Sequence, residues 1–66
     1  MSVAKVTELT SSSAVSFDDA LAQGVARASK TLRGVSGAWI QDQKVVVKDG
    51  KIVEYRINMK VTFILD

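Results

Sequence analysis

The chain contains no cysteine and no histidine. Without thiols, no disulfide can form and no thiolate zinc site can be built. The missing imidazole removes the commonest transition-metal ligand and the commonest general base. No run of about 18 apolar residues is present that would span a bilayer as a helix. The first residues, Met1-Ser2-Val3-Ala4-Lys5, lack the charged-then-apolar plan of a signal peptide. These absences predict a soluble cytoplasmic protein with no membrane partner. An enzyme is not expected either, since catalysis would fall to a Lys, Ser, Tyr or carboxylate activated by its neighbours. The hydroxyl run Ser11-Ser12-Ser13 has no base near it in sequence.

Charge is nearly balanced: nine basic against seven acidic residues give +2 and a pI near 9.2. The basic residues are interleaved with acids along the chain, whereas a nucleic-acid binder clusters them on one face with aromatics among them. No nucleic-acid partner is therefore expected. What is present is apolar: 47% of the residues are hydrophobic, more than a disordered chain carries. The 66 residues make a single domain, 1–66, and a small one. Chains of about 60 residues remove only about 60% of their unfolded surface on folding, and below roughly 70–80 residues a lone core seldom suffices. With disulfide and thiolate staples excluded, association between copies remains, and a closed homo-oligomer is expected.

The local patterns spell β-α-β-β. Residues 3–9 alternate as a first strand does, with Val3, Lys5, Thr7 and Leu9 against Ala4, Val6 and Glu8. Thr10-Ser11-Ser12-Ser13 reads as a loop whose hydroxyls compete for local backbone bonds. A helix is predicted over 17–33. Ser16 is a good N-cap, and Asp18 and Asp19 put negative charge in the first turn. Phe17, Leu21, Val25, Ala28 and Leu32 form one apolar stripe at helical spacing. Lys30 and Arg33 fall in the last turn, and Gly34 suits a left-handed C′ position. Gly24 inside the helix costs about 1 kcal/mol against Ala, which points to close packing against a neighbouring backbone.

Asp49-Gly50 between Lys48 and Lys51 is a two-residue type I′ hairpin signal. After it, Val53, Tyr55, Ile57, Met59, Val61, Phe63 and Leu65 occupy every second position. This alternation over about 13 residues would run about 43 Å as a strand. The helix covers only about 25 Å, so another copy is needed to cover the remaining apolar face. A two-residue turn pairs Ile40 with Met59 and Ala38 with Val61. Continued without interruption, it sets Lys44 beside Tyr55 and Asp42 beside Ile57 on the nominally apolar face. Either a bulge shifts the strand there or that end projects into a subunit contact.

The opposite sheet face is the candidate site. Alternation assigns to it Gly37, Trp39, Gln41 and Gln43 together with Glu54, Arg56, Asn58 and Lys60. A Trp among amides and a guanidinium has two readings. It fills a subunit interface, or it belongs to a stacking and hydrogen-bonding surface for a planar small-molecule ligand.

The order of these features resembles the dodecins, small βαββ proteins that form hollow spherical dodecamers and typically bind flavin. The resemblance rests on Lys5-Val6-Thr7-Glu8-Leu9, on Ser12-Ser13-Ala14-Val15-Ser16-Phe17, and on Ala20-Leu21 with Ala26-Arg27-Ala28. Thr31-Leu32-Arg33 follows, and then Tyr55-Arg56-Ile57-Asn58-Met59-Lys60-Val61-Thr62-Phe63 with Leu65-Asp66. It implies an α+β fold with a three-stranded antiparallel sheet wrapped around one helix, a homododecamer, and riboflavin or FMN as the ligand. In flavin-binding dodecins a Trp near the start of the second strand stacks on the isoalloxazine ring, and a Gln of the third strand hydrogen-bonds the ring edge. The matching positions here are Gly37 and Arg56, and Trp39 lies two residues along the same face. Arg56 favours an anionic or carbonyl-bearing partner, because its donors cannot also accept. The pattern looks like the dodecin branch regarded as lacking the flavin site, some members of which bind calcium. Calcium needs clustered oxygen ligands, whereas Asp18-Asp19 serve the helix dipole and Asp42 and Asp49 stand alone.

Overall fold

Strand β1 (Val3–Ser13), helix α1 (Phe17–Thr31), strand β2 (Val35–Lys48) and strand β3 (Lys51–Leu65) follow one another in the computed structural model, which describes residues 2–65. The strands form one antiparallel sheet in the order β1-β3-β2, with the long alternating strand at its centre. One helix packs on one face of it, so the α+β, β-α-β-β architecture is as the patterns indicate.

The first strand runs four residues further than expected. Thr10-Ser11-Ser12-Ser13 is not a loop, for these residues pair with Asn58, Ile57, Arg56 and Tyr55 in unbroken register. Small side chains are needed at this end because α1 passes close above it. Ser13 is buried, and its hydroxyl donates to Asp19 Oδ2 at 2.6 Å while accepting from the Val15 N–H at 2.9 Å. Ser16 is the N-cap, with Oγ accepting from the Asp19 N–H at 3.0 Å. The strand end and the helix start are thus fastened by one small network of hydroxyl and carboxylate groups.

The helix ends earlier than its apolar stripe suggests. Leu32 is already extended, its N–H donating to Ala28 O at 2.9 Å. Arg33 therefore lies outside the helix and only Lys30 remains in its last turn. Extending at Leu32 keeps that side chain against the core. Gly34 has the left-handed φ of 71° that suits glycine, two residues beyond the cap, and its carbonyl accepts the Ile64 N–H at 2.9 Å. It steers the chain into β2.

The wholly buried helix positions are Ala20, Gly24 and Ala28, with Phe17, Leu21 and Val25 half-buried on the flanks. The stripe is centred on its smallest residues, because the helix lies directly on Ile57, Met59 and Val61, all fully buried. The close neighbour of Gly24 is a side chain, Met59, and not a backbone as its place in the helix suggested.

Cover ends at Tyr55, whose ring meets Phe17, the first residue of α1, edge to face at a centroid distance of 5.2 Å. Beyond it the β2–β3 hairpin continues alone to the Asp49-Gly50 turn, where φ values of 51° and 76° match a type I′ turn. On this arm Val47 is 56% exposed and Ile52 is 51% exposed. The subunit is accordingly 51 Å long and 14 Å thick. No helix of the described residues is long and apolar enough to cross a membrane.

Candidate functional site

Two bulges decide what the helix-free face carries. From Ala38–Val61 to Ile40–Met59 the register follows the two-residue turn, but the next pair is Asp42–Asn58. Gln41 is the extra residue. Every β2 side chain between it and the second irregularity, at Val46/Val47, changes face relative to uninterrupted pairing. Gln43 consequently stands opposite Ile57, on the side of the helix, and leaves the predicted site. Asp42 and Lys44 join the helix-free face, opposite Asn58 and Arg56. The bulge removes two charges from the apolar side, which is why the chain tolerates them in a strand whose partner is core.

The helix-free face is therefore built in rows across the sheet. Gly37 faces Thr62, and nothing lies within 4 Å of the position a Cβ would take there. Trp39 faces Lys60 and is 47% exposed. Lys60 Nζ is 3.7 Å from Glu8 Oε1 on β1. In the next row Thr10 donates to Asn58 Oδ1 at 2.7 Å, and Asn58 Nδ2 donates to Asp42 Oδ1 at 2.6 Å. One amide thereby links side chains from all three strands.

The last row is Ser12, Arg56 and Lys44, again one residue per strand. Arg56 Nε and Nη2 both donate to Glu54 Oε1, at 3.2 and 2.9 Å, and Nε also reaches Ser12 Oγ at 3.4 Å. The Ser12 hydroxyl and then the Arg56 guanidinium hold the Glu54 carboxyl below its usual pKa, with Arg56 and Lys44 adding through-space attraction.

Of the residues singled out from sequence, Gly37 and Trp39 lie together at one end of this face. Arg56 lies on the same face but about 13 Å along it, four residues of β3 away, with the Thr10–Asn58–Asp42 row between. Gln41 occupies the bulge without a cross-strand partner. Asp42, Lys44, Ser12 and Thr10 were not assigned to the face. The signal for the first two was present in their charge, which sat opposite Ile57 and Tyr55 in the uninterrupted register. Among the described residues no group of three Asp, Glu, His or Cys side chains comes together to hold a metal ion.

Comparison with known proteins gives one consistent result. The dodecin family model matches residues 3–66. The dodecin from Streptomyces davaonensis is 31% identical, with a TM-score of 0.93 over 98% of this chain and 96% of that one. The dodecin from Streptomyces coelicolor is 28% identical, with a TM-score of 0.93 over 98% and 93%. The calcium dodecin from Mycobacterium tuberculosis, described as a calcium-chelating antigen with a novel calcium-binding site, is 32% identical, with a TM-score of 0.83 over 97% and 91%. No curated protein matches the chain. A family match spanning all but the first two residues, on a sheet and helix that superpose so closely on solved dodecins, leaves one conclusion: the chain belongs to the dodecin family.

Proposed function

We propose that this chain is the subunit of a closed homo-oligomeric shell, a dodecamer as in its family, which holds a small planar ligand of the flavin type on the helix-free sheet face. The observation that carries the ligand is Trp39. Its indole is half exposed beside Gly37, above which nothing stands within 4 Å. A large aromatic left open next to a bare stretch of backbone offers a flat apolar seat. Asn58 and Asp42 flank it with polar atoms for a ring edge. Riboflavin or FMN is then cargo that the chain binds and shields. The shell is supported by the arm beyond Tyr55, whose exposed Val47, Ile52 and Val53 are covered when copies associate.

The test is a titration of purified apo-protein with riboflavin and with FMN, followed by flavin fluorescence. Stacking against Trp39 quenches the emission, and an unquenched signal at tens of micromolar protein removes flavin from the account. Sedimentation at micromolar concentration tests the shell, which a stable 7.1 kDa monomer would rule out.

A second reading, a shell without flavin that acts through its surface or cavity on ions or another protein, is favoured by a separate observation. Gly37 brings no ring where flavin-binding dodecins have one, and the Arg56 guanidinium is already held on Glu54. A native mass spectrum decides between the two. A ligand-free oligomer supports this second reading, and a bound flavin mass ends it.

A further inference from the structure

On the helix side of the edge strand β1, Thr7 and Ser11 pair with Val61 and Ile57 of the core. They carry small hydroxyl side chains where a core-facing strand would carry apolar ones. Opposite them α1 buries Gly24 and Ala28, which are equally small. Small residues on both walls leave a cleft of about 610 Å³ between the helix flank and β1, lined along its length by Leu9, Gly24, Ala28 and Leu32. That volume falls in the range of about 300–1,000 Å³ typical of small-molecule sites. The charge of the cleft is one-sided. Among the described residues Arg27 is the sole charged residue lining it, and no acid does. The helix gives Arg27 no partner either. The positions three and four residues away are Gly24, Gln23, Lys30 and Thr31, and among the described residues Arg27 forms no ion pair. The Gln23 amide is already held on Asp19 Oδ2. The Thr7 and Ser11 hydroxyls, among the described residues, engage no partner.

We propose that the cleft between α1 and β1 binds a small monocarboxylate with an apolar tail. Arg27 takes the carboxylate, the Ser11 hydroxyl donates to it, and the tail lies along Leu9, Ala28 and Leu32. A guanidinium suits this head group because it offers a carboxylate two parallel charge-assisted bonds. An unopposed cation beside an apolar floor selects a ligand that brings both a negative charge and an apolar body. From Arg27 to Leu32 the chain rises about 7.5 Å, so the cleft suits a tail of medium length. This ligand lies on the helix side of the sheet, away from Trp39 and the face assigned to the planar ligand. Neither reading rests on the other.

The experiment is calorimetric titration of the whole assembled protein with butanoate, hexanoate and octanoate, each below its micelle-forming concentration, with octylammonium as the charge control. Expected is saturable carboxylate binding that tightens about two- to fourfold for each added methylene, and no binding of octylammonium. Arg27 is exposed, so Arg27→Gln leaves the fold intact, and it is expected to weaken octanoate binding about tenfold. Crystals grown with ω-bromo-octanoate locate the tail, and the bromine is expected beside Leu32. No saturable octanoate binding, the same affinity in Arg27→Gln, or bromine beside Trp39 overturns the proposal. If octanoate binds only to subunits dissociated by Val47→Asp with Ile52→Asp, a second copy fills the cleft in the assembly, and the proposal falls.

Discussion

The sulfur of Met59 lies directly beneath Gly24: a Cβ on that glycine would stand 2.6 Å from Met59 Sδ, 3.2 Å from Ser11 Cβ and 3.4 Å from Leu9 Cδ1. Met59 is fully buried, so its sulfur moves only by disturbing other core groups. Gly24→Ala gains about 1 kcal/mol of helix propensity but overpacks the core at a cost of about 1–3 kcal/mol. A net loss of about 1 kcal/mol is expected. Combined with Met59→Val, which removes the obstruction, Gly24→Ala is expected to cost less than it does alone, a coupling that a double-mutant cycle reads directly. Urea unfolding at fixed protomer concentration is the measurement, because stability in an oligomer depends on that concentration. A more stable Gly24→Ala protein contradicts the close approach.

The central strand was legible from sequence because its alternation is long and its turn signal specific. The helix start was equally clear, since Ser16, Asp18 and Asp19 act locally. The places where pattern and structure part share a cause: tertiary contact overrides a local preference. Ser11, Ser12 and Ser13 favour turns, yet they extend β1 because β3 offers an unbroken partner and, at Ser11 and Ser13, the helix demands small residues beneath it. Leu32 fits the helical stripe, yet it extends to reach the core. The Gln41 bulge has no composition of its own, and its only trace was an embarrassment of charge, Asp42 and Lys44 set opposite Ile57 and Tyr55. Reading that conflict as a change of face would have placed Lys44 beside Arg56 and removed Gln43 from the site. Trp39 and Gly37 keep the face that alternation gives them because the shifts at Val46/Val47 and at Gln41 cancel.

Glu54 makes the arm sensitive to acid. The Ser12 hydroxyl and the Arg56 guanidinium lower its pKa from the usual 4.5, so folding favours the ionised form. That contribution is complete above the unfolded value and is lost as the pH falls through the lower folded value. Glu54→Gln is therefore expected to be less stable than the natural sequence at neutral pH, with the gap closing as the pH drops below 4.5. Thermal unfolding of both proteins across this range checks it. A gap that stays constant or widens in acid means Glu54 is not held as an anion by its neighbours.

The exposed end of the hairpin carries the association prediction. Covering one Val or Ile side chain contributes about 1.5–3 kcal/mol, and in a symmetric assembly each contact recurs in every copy. Val47→Asp, alone or with Ile52→Asp, places charge on the arm without touching Ile57, Met59 or Val61. Sedimentation velocity is expected to show smaller species at concentrations where the natural sequence stays assembled. Circular dichroism should retain the strand and helix signals if the variant subunit folds when dissociated. An unchanged sedimentation coefficient for the double variant would mean that copies do not meet through this part of the arm.

The bare backbone at Gly37 allows a gain-of-function test of where the planar ligand lies. Its Cβ position is open, its φ is not in the left-handed region, and it shares a face with Trp39. A Trp introduced there meets no neighbour that must give way, so Gly37→Trp is expected to fold with nearly unchanged stability. It adds a second aromatic surface about 6.6 Å along the strand from Trp39. One added stack contributes about 1–3 kcal/mol, taking base–aromatic stacking as the guide, or about five- to 150-fold in affinity. Flavin fluorescence titration of Gly37→Trp against the natural sequence reads this gain, and Trp39→Ala reads the corresponding loss. If Gly37→Trp tightens riboflavin binding while Trp39→Ala leaves it unchanged in the natural background, the ring does not rest on Trp39. The indole is then better explained as a filler of a contact between subunits.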